Sequence, residues 1–127
     1  MPTDNEPKRF VLIVEDDEDI ASGIRVVLES SGYETATVYN GEDAKSFLWE
    51  RKPDVMTLDI NMPEVTGLEL LDYFSGSGYL EGVKVLLISG EPADELIQGV
   101  VAGAGWVLEK PIDFFEVLKV VDELVAT

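Results

Sequence analysis

PDVMTLDINMPEVTGLELL, residues 53–71, sets the pattern for the whole chain. Its apolar run DVMTL at 54–58 is short and continuous instead of alternating, as in a strand buried on both faces. A carboxylate, Asp59, follows directly, then Ile60-Asn61-Met62-Pro63. Beyond these the apolar spacing becomes helical, with Leu68, Leu71 and Phe74 on one face. Strand, acidic strand end, loop and helix make one unit of a parallel sheet, because neighbouring parallel strands need a crossover of about a dozen residues, usually a helix. A carboxylate closing a buried strand is rare enough to make Asp59 a functional candidate.

Working outward, the same unit recurs. FVLIV at 10–14, the weaker YETATV at 33–38, VKVLLI at 83–88 and WVL at 106–108 read as further strands. Ile20, Ile24, Val27 and Leu28 share a helical face, as do Ala44, Phe47 and Leu48, and then Ala93, Ile97, Val100 and Val101. The last helix places Phe114, Val117, Leu118, Val121 and Val125 together, with Asp113 as its N-cap. Gly32 stops the first helix, Pro53 blocks continuation of the second, and GSGYLEG at 76–82 is a loop after the third. Five such units predict an α/β fold: a doubly wound parallel five-stranded sheet with helices on both faces, a (βα)5 three-layer sandwich. Residues 1–8 read as a flexible leader and 9–127 as one domain.

Composition excludes much chemistry. The chain has 127 residues, 46% hydrophobic, with 26 Asp+Glu against 9 Lys+Arg, no His and no Cys, for a net charge of -17. Without imidazole or thiol there is no zinc finger, no Ser-His-Asp triad, no thiolate nucleophile and no disulfide framework. Any metal held by side chains is a hard, oxygen-liganded ion, with Mg2+, Ca2+ or Mn2+ the candidates. The charge repels nucleic acid and anionic lipid at long range, so no direct nucleic-acid contact is expected. No run approaches the ~20 apolar residues of a membrane span, and MPTDNEPKRF at the start is not a signal peptide. A cytoplasmic location is the expectation, and the lack of Cys agrees with a reducing compartment.

In an open parallel sheet the ligand site lies outside the carboxyl ends of the strands, beside the point where strand order reverses. Those ends carry Glu15-Asp16-Asp17-Glu18-Asp19, then Asp59, then Ser89-Gly90, then Glu109-Lys110-Pro111. Carboxylates at a helix N-terminus each contribute about 0.3–1 kcal/mol through the helix dipole, which accounts for Glu18 and Asp19. Glu15 and Asp16, still at the strand end, crowd like charges and fit a cation better. If the first and third strands are neighbours, Asp59 lies beside Asp16 and the two make half of a Mg2+ site. A lone Ser or Lys is more often a cap or a solvated side chain. Acid pair, acid, hydroxyl and lysine at successive strand ends would together cradle a phosphoryl group.

VLIVEDDED, PDVMTLDINMPEVTGLELL, VLLISG and AGAGWVLEKPI resemble the response-regulator receiver domains of two-component signalling over residues 9–126. The resemblance implies a flavodoxin-like strand order 2-1-3-4-5. It makes Asp59 the phosphoacceptor and Asp16 a Mg2+ ligand, with Glu15 reaching the ion through water and Asn61 lending its main-chain carbonyl. Mn2+ fits the same donors. Ser89 matches the switch hydroxyl and Lys110 the ammonium that pairs with the phosphoryl oxygens. Lys110-Pro111 is expected cis, and Gly67 allows a sharp approach of the third helix. Asp17 matches no ligand position and reads as a rim acid. Asn61 and Glu91 flank the water path to an acyl phosphate on Asp59 and are expected to set its lifetime. Where many receivers place a switching Tyr or Phe, this chain has Val107, with Trp106 beside it. Val107 reads as a core residue, and Trp106 either as an output contact or as cover for a helix.

The implied donor is a sensor histidine kinase or histidine phosphotransfer protein, expected to dock near the first helix and the loop after Lys110, with Val26 as an exposed apolar contact. The output face would carry Asp94, Glu95, Glu109, Glu116, Asp122 and Glu123 with Lys119, suited to a protein partner or a fused effector domain. Phe115, Val120 and Leu124 read as a wide core stripe, and the chain as a monomer or weak homodimer. No effector segment follows Thr127, so a stand-alone receiver or the receiver of a larger regulator is expected. Only self-phosphorylation and self-dephosphorylation are implied, not conventional enzyme turnover. Two rivals are a Mg2+-dependent aspartyl phosphohydrolase and a pseudo-receiver interaction module. The first usually needs an acid where Asn61 stands, and the second would lack an acid, the acceptor or the lysine.

Overall fold

The computed structural model describes residues 8–90 and 106–126. In chain order these form β1 (Phe10–Val14), α1 (Glu18–Ser30), β2 (Glu34–Val38), α2 (Gly41–Glu50), β3 (Val55–Asp59), α3 (Gly67–Ser75), β4 (Lys84–Ser89), β5 (Trp106–Glu109) and α4 (Phe114–Val125). All neighbouring strands are parallel, in the order β2-β1-β3-β4-β5. The expected helix carrying Ala93, Ile97, Val100 and Val101 lies outside the described residues.

Continuous apolar strands are explained by two cores, one on each side of the sheet. Val11, Ile13, Val55, Leu86 and Ile88 face α1 and α4, while Leu12, Val14, Met56, Leu58, Val85 and Leu87 face α2 and α3. Because successive strand side chains alternate between faces, both sets must be apolar, and the period-2 signal of a half-exposed strand disappears.

Helix ends follow local chemistry. Asp17 caps α1, its carboxylate accepting from the N–H groups of Asp19 and Ile20 at 2.9 and 3.1 Å. It is therefore a cap as well as a rim acid. Asn40, Thr66 and Asp113 cap α2, α3 and α4 in the same way. Gly32, at φ 94°, ends α1 in the left-handed region that glycine enters without a Cβ penalty. Asp17→Ala should cost about 1 kcal/mol, the usual worth of such a cap, read as a lower urea midpoint with an unchanged slope.

Two expectations differ from the structure. The buried face of α3 is Gly67, Leu70 and Phe74, while Leu68 and Leu71 are only half-buried at its edges. Phe115 is not part of a core stripe: it is 76% exposed, whereas Val120 and Leu124 are buried. Residues 76–82 form a loop after α3, as expected. Tyr79 within it donates its hydroxyl to the Leu48 carbonyl, and its ring lies 4.3 Å from that of Trp49, which ties the loop to α2.

Candidate functional site

The carboxyl ends of β1 and β3 lie side by side, with Val14 paired to Leu58, where the strand order reverses. Asp59 is the last residue of β3, one position earlier than a loop acid would be, and backbone pairing holds it there. Glu15, just past β1, is fixed by its N–H donating to the Val38 carbonyl at 3.1 Å. Glu15 and Asp59 are each 1% exposed, whereas Asp16 is exposed on the rim. One carboxylate oxygen from each of Glu15, Asp16 and Asp59 lies within 4.8 Å of the others.

Lys110, just past β5, reaches into this group. Its Nζ is 3.2 Å from Asp59 Oδ2 and 3.5 Å from both Glu15 oxygens. The Lys110 N–H donates to the Ser89 carbonyl at 2.7 Å, and the Lys110-Pro111 bond is cis. Asp59 Oδ1 accepts from the Asn61 N–H at 2.9 Å. Ser89 is fully buried at the end of β4. Lys110 thus reaches the acidic group, and Ser89 ends the strand that pairs with Asp59's own.

Charge crowding shows in the proton affinities. Burial, with the Asp59 carboxyl beside it, pushes Glu15 up to about 8. Burial and the same neighbour also raise Asp16. Asp59 moves the other way: burial opposes its ionisation, but hydrogen bonds from the Glu15 and Asp16 acids and the Asn61 N–H, with the Lys110 charge, outweigh it. Burial works against the Lys110 ammonium too, yet the Glu15 and Asp59 charges hold its proton more tightly than usual. Two carboxylates of three are reluctant to ionise together, the expected state of a cluster built for a cation.

The donor set fits a hard divalent ion. Its three acids offer carboxylate oxygens, and among the described residues Glu15 Oε1 is buried with no hydrogen-bond donor and an ion pair to Lys110 at 3.5 Å. Buried acceptors seldom go unbonded.

Other expected positions fall as follows. Gly67 lies so near the Asp59 carbonyl that a Cβ on it would sit 2.6 Å from that oxygen, so α3 can begin there only without a side chain. Val107 is half-buried against the core on the α2 and α3 side, as expected of a core residue. Trp106 is 45% exposed, and Val26 is exposed on α1. Glu91, Asp94 and Glu95 lie outside the described residues. One contact was not anticipated: Asn61 Oδ1 accepts from the Gly90 N–H at 2.9 Å, joining the loop after β3 to the end of β4. An amide two residues past an acid carries no sequence mark of that partner.

A doubly wound parallel sheet bearing an acidic pocket and a lysine at its carboxyl edge is the arrangement of a signalling receiver module. The chain belongs to the response regulator receiver domain family, whose model matches residues 11–122. The transcriptional regulatory protein PrrA of Mycobacterium tuberculosis is 33% identical over 115 residues, 90% of this chain and 48% of that protein. The chain therefore spans about half the length of the first relatives it matches. The polar-differentiation response regulator DivK of Brucella anthropi is 36% identical over 81 residues, 64% of this chain and 66% of that protein. Among solved structures, the chemotaxis protein CheY4 of Vibrio cholerae superimposes with a TM-score of 0.85 at 28% identity, covering 93% of this chain and 99% of that one. Among the described residues, no helix is long and apolar enough to cross a membrane.

Proposed function

We propose that this domain accepts a phosphoryl group on Asp59 from a partner's phosphohistidine, with Mg2+ bound, and thereby alters a protein-binding surface. The observation that carries the reading is the meeting of two further carboxylates, Glu15 and Asp16, and one ammonium around Asp59, with Lys110 Nζ 3.2 Å from its Oδ2. Asp16, Asp59 and the Asn61 main-chain carbonyl would hold the ion and Glu15 would act through water; Mn2+ suits the same oxygens. The ion would supply charge neutralisation for the transfer. Asp59 attacks phosphorus as the donor's N–P bond breaks, leaving the electron pair on the imidazole. Lys110 offsets the phosphoryl charge, and Ser89 donates to a phosphoryl oxygen. Asn61 and Glu91 would set the lifetime of the acyl phosphate.

Receiver domains partner with histidine kinases. With no histidine of its own, this chain takes the accepting role, toward a sensor kinase or a histidine phosphotransfer protein, in the cytoplasm. Exposed Trp106 and Phe115 beside Glu109, Glu116, Asp122 and Glu123 support a protein partner or fused effector as the output. That acidity argues against direct nucleic-acid contact. A monomer or weak homodimer is consistent with the strong net charge. Incubation with acetyl phosphate and Mg2+ should add one hydroxylamine-labile phosphoryl group per chain. Absence of uptake with Mg2+ present favours a pseudo-receiver, and sustained turnover of varied phosphate esters favours the hydrolase.

A further inference from the structure

The loop that follows Asp59, residues 60–66, is pinned at both ends by positions that have no room for a side chain. At its far end, a Cβ on Gly67 would meet the Asp59 carbonyl at 2.6 Å and Ile60 Cα at 3.0 Å. The second seat is on a different element. Gly41, buried as the first residue of α2, lies against Val65, and a Cβ there would stand 2.6 Å from Val65 Cβ and Cγ1 and 2.8 Å from its carbonyl oxygen. Neither Cβ nor a main-chain oxygen swings aside by a rotamer change, so a side chain at 41 forces the backbone at Val65 and the start of α2 apart. Between the two seats Glu64 holds φ 64°, a left-handed conformation that costs a non-glycine residue about 1–2 kcal/mol. Its surroundings therefore impose this loop's shape against local preference. Asn40 caps α2, and Ile60 and Met62 are buried in the α2 and α3 core, so the backstop is itself firmly held.

We infer that the N-terminal turn of α2 is the backstop of the phosphoacceptor loop, with Gly41 a positioning residue that fixes the Asn61 carbonyl through Val65. This rests on the metal site proposed above. Mg2+ demands near-octahedral oxygens at about 2.0–2.1 Å, so a few tenths of an ångström at the loop should reach its affinity before it reaches the fold.

The test compares the parent chain with Gly41→Ala, Val65→Ala and, as a control, Gly76→Ala, where nothing lies within 4 Å of the added carbon. Mg2+ affinity is measured by calorimetry, and the Asp59, Ile60 and Asn61 amide shifts by NMR in metal-free protein. Gly41→Ala should bind Mg2+ about tenfold more weakly while unfolding cooperatively, with those three amides displaced. Val65→Ala, which empties the seat from the loop side, should weaken binding in the same direction, and Gly76→Ala should match the parent. Parent-like affinity and amide shifts in Gly41→Ala overturn the inference. If that variant does not fold, parent-like values in Val65→Ala overturn it. If the parent itself binds no Mg2+, the proposed metal site fails, and the metal-free amide shifts alone decide the backstop.

Discussion

Asp59→Asn should reduce phosphoryl uptake from acetyl phosphate from one group per chain to background, a loss of at least about 100-fold. A carboxamide keeps the shape of the side chain, and one oxygen to accept the Asn61 N–H. It has lost the anionic oxygen that attacks phosphorus and forms the acyl phosphate. The fold should survive. Lys110 retains Glu15 at 3.5 Å, and the like-charge contact that raises Glu15 is removed. Circular dichroism and a thermal melt beside the labelling experiment separate loss of the acceptor from loss of structure. Undiminished, hydroxylamine-labile labelling of folded Asp59→Asn would move the acceptor elsewhere, with exposed Asp16 first in line.

Mg2+ affinity should fall about tenfold for each pH unit below 8, over the range pH 8 to 6, because binding has to displace the proton that burial keeps on Glu15. Calorimetry in buffers of different ionisation enthalpy should show close to one proton released per ion at pH 6.5. Stability without metal should follow the same group. Its folded value of about 8 lies above the ordinary 4.5, so the native state binds the proton more tightly than the unfolded chain. That contribution is complete below pH 4.5 and is lost as pH rises through 8. Asp16 is raised as well and acts in the same sense. Lowered Asp59 contributes above the ordinary carboxylate range and loses its contribution only as pH falls through its folded value, which is outside this window. The metal-free domain should therefore melt higher at pH 5.5 than at pH 8, and saturating Mg2+ should reverse the order. Equal Mg2+ affinity at pH 6 and pH 8 would contradict a protonated Glu15.

The sheet was legible because strands buried on both faces leave unbroken apolar runs, and all five ran to within one residue of their observed ends. Its edge strand β2, half-buried through most of its length, gave the weakest signal. The face of α3 was misread for a definite reason. Gly67 is buried but has no side chain to register, and Leu70 lies among Leu68 and Leu71, all apolar and all compatible with helical spacing. Phe115 illustrates the reverse: an apolar residue on an amphipathic helix that faces out. For the candidate site, strand-end position pointed to Glu15, Asp16, Asp59, Ser89 and Lys110, of which the three acids and Lys110 lie together. Five consecutive acids could not be told apart by composition, so the capping role of Asp17 became visible only from its extended backbone at ψ 113°. Contacts that depend on the approach of separate elements, such as Gly41 with Val65 or Asn61 with Gly90, have no counterpart in local pattern.

The reach of Lys110 has a consequence for how the molecule assembles. Its partners Glu15 and Asp59 are 95 and 51 residues away along the chain, and β1 meets β3 only across a separation of about 44. Closing such long loops is entropically unfavourable and slow compared with helix formation, and in a parallel sheet no hairpin shortens the path. The acidic pocket with its lysine thus does not exist until β1 has docked on β3 and β5 on β4. During refolding, ion binding should appear as the final event, after helical content and most core burial are complete.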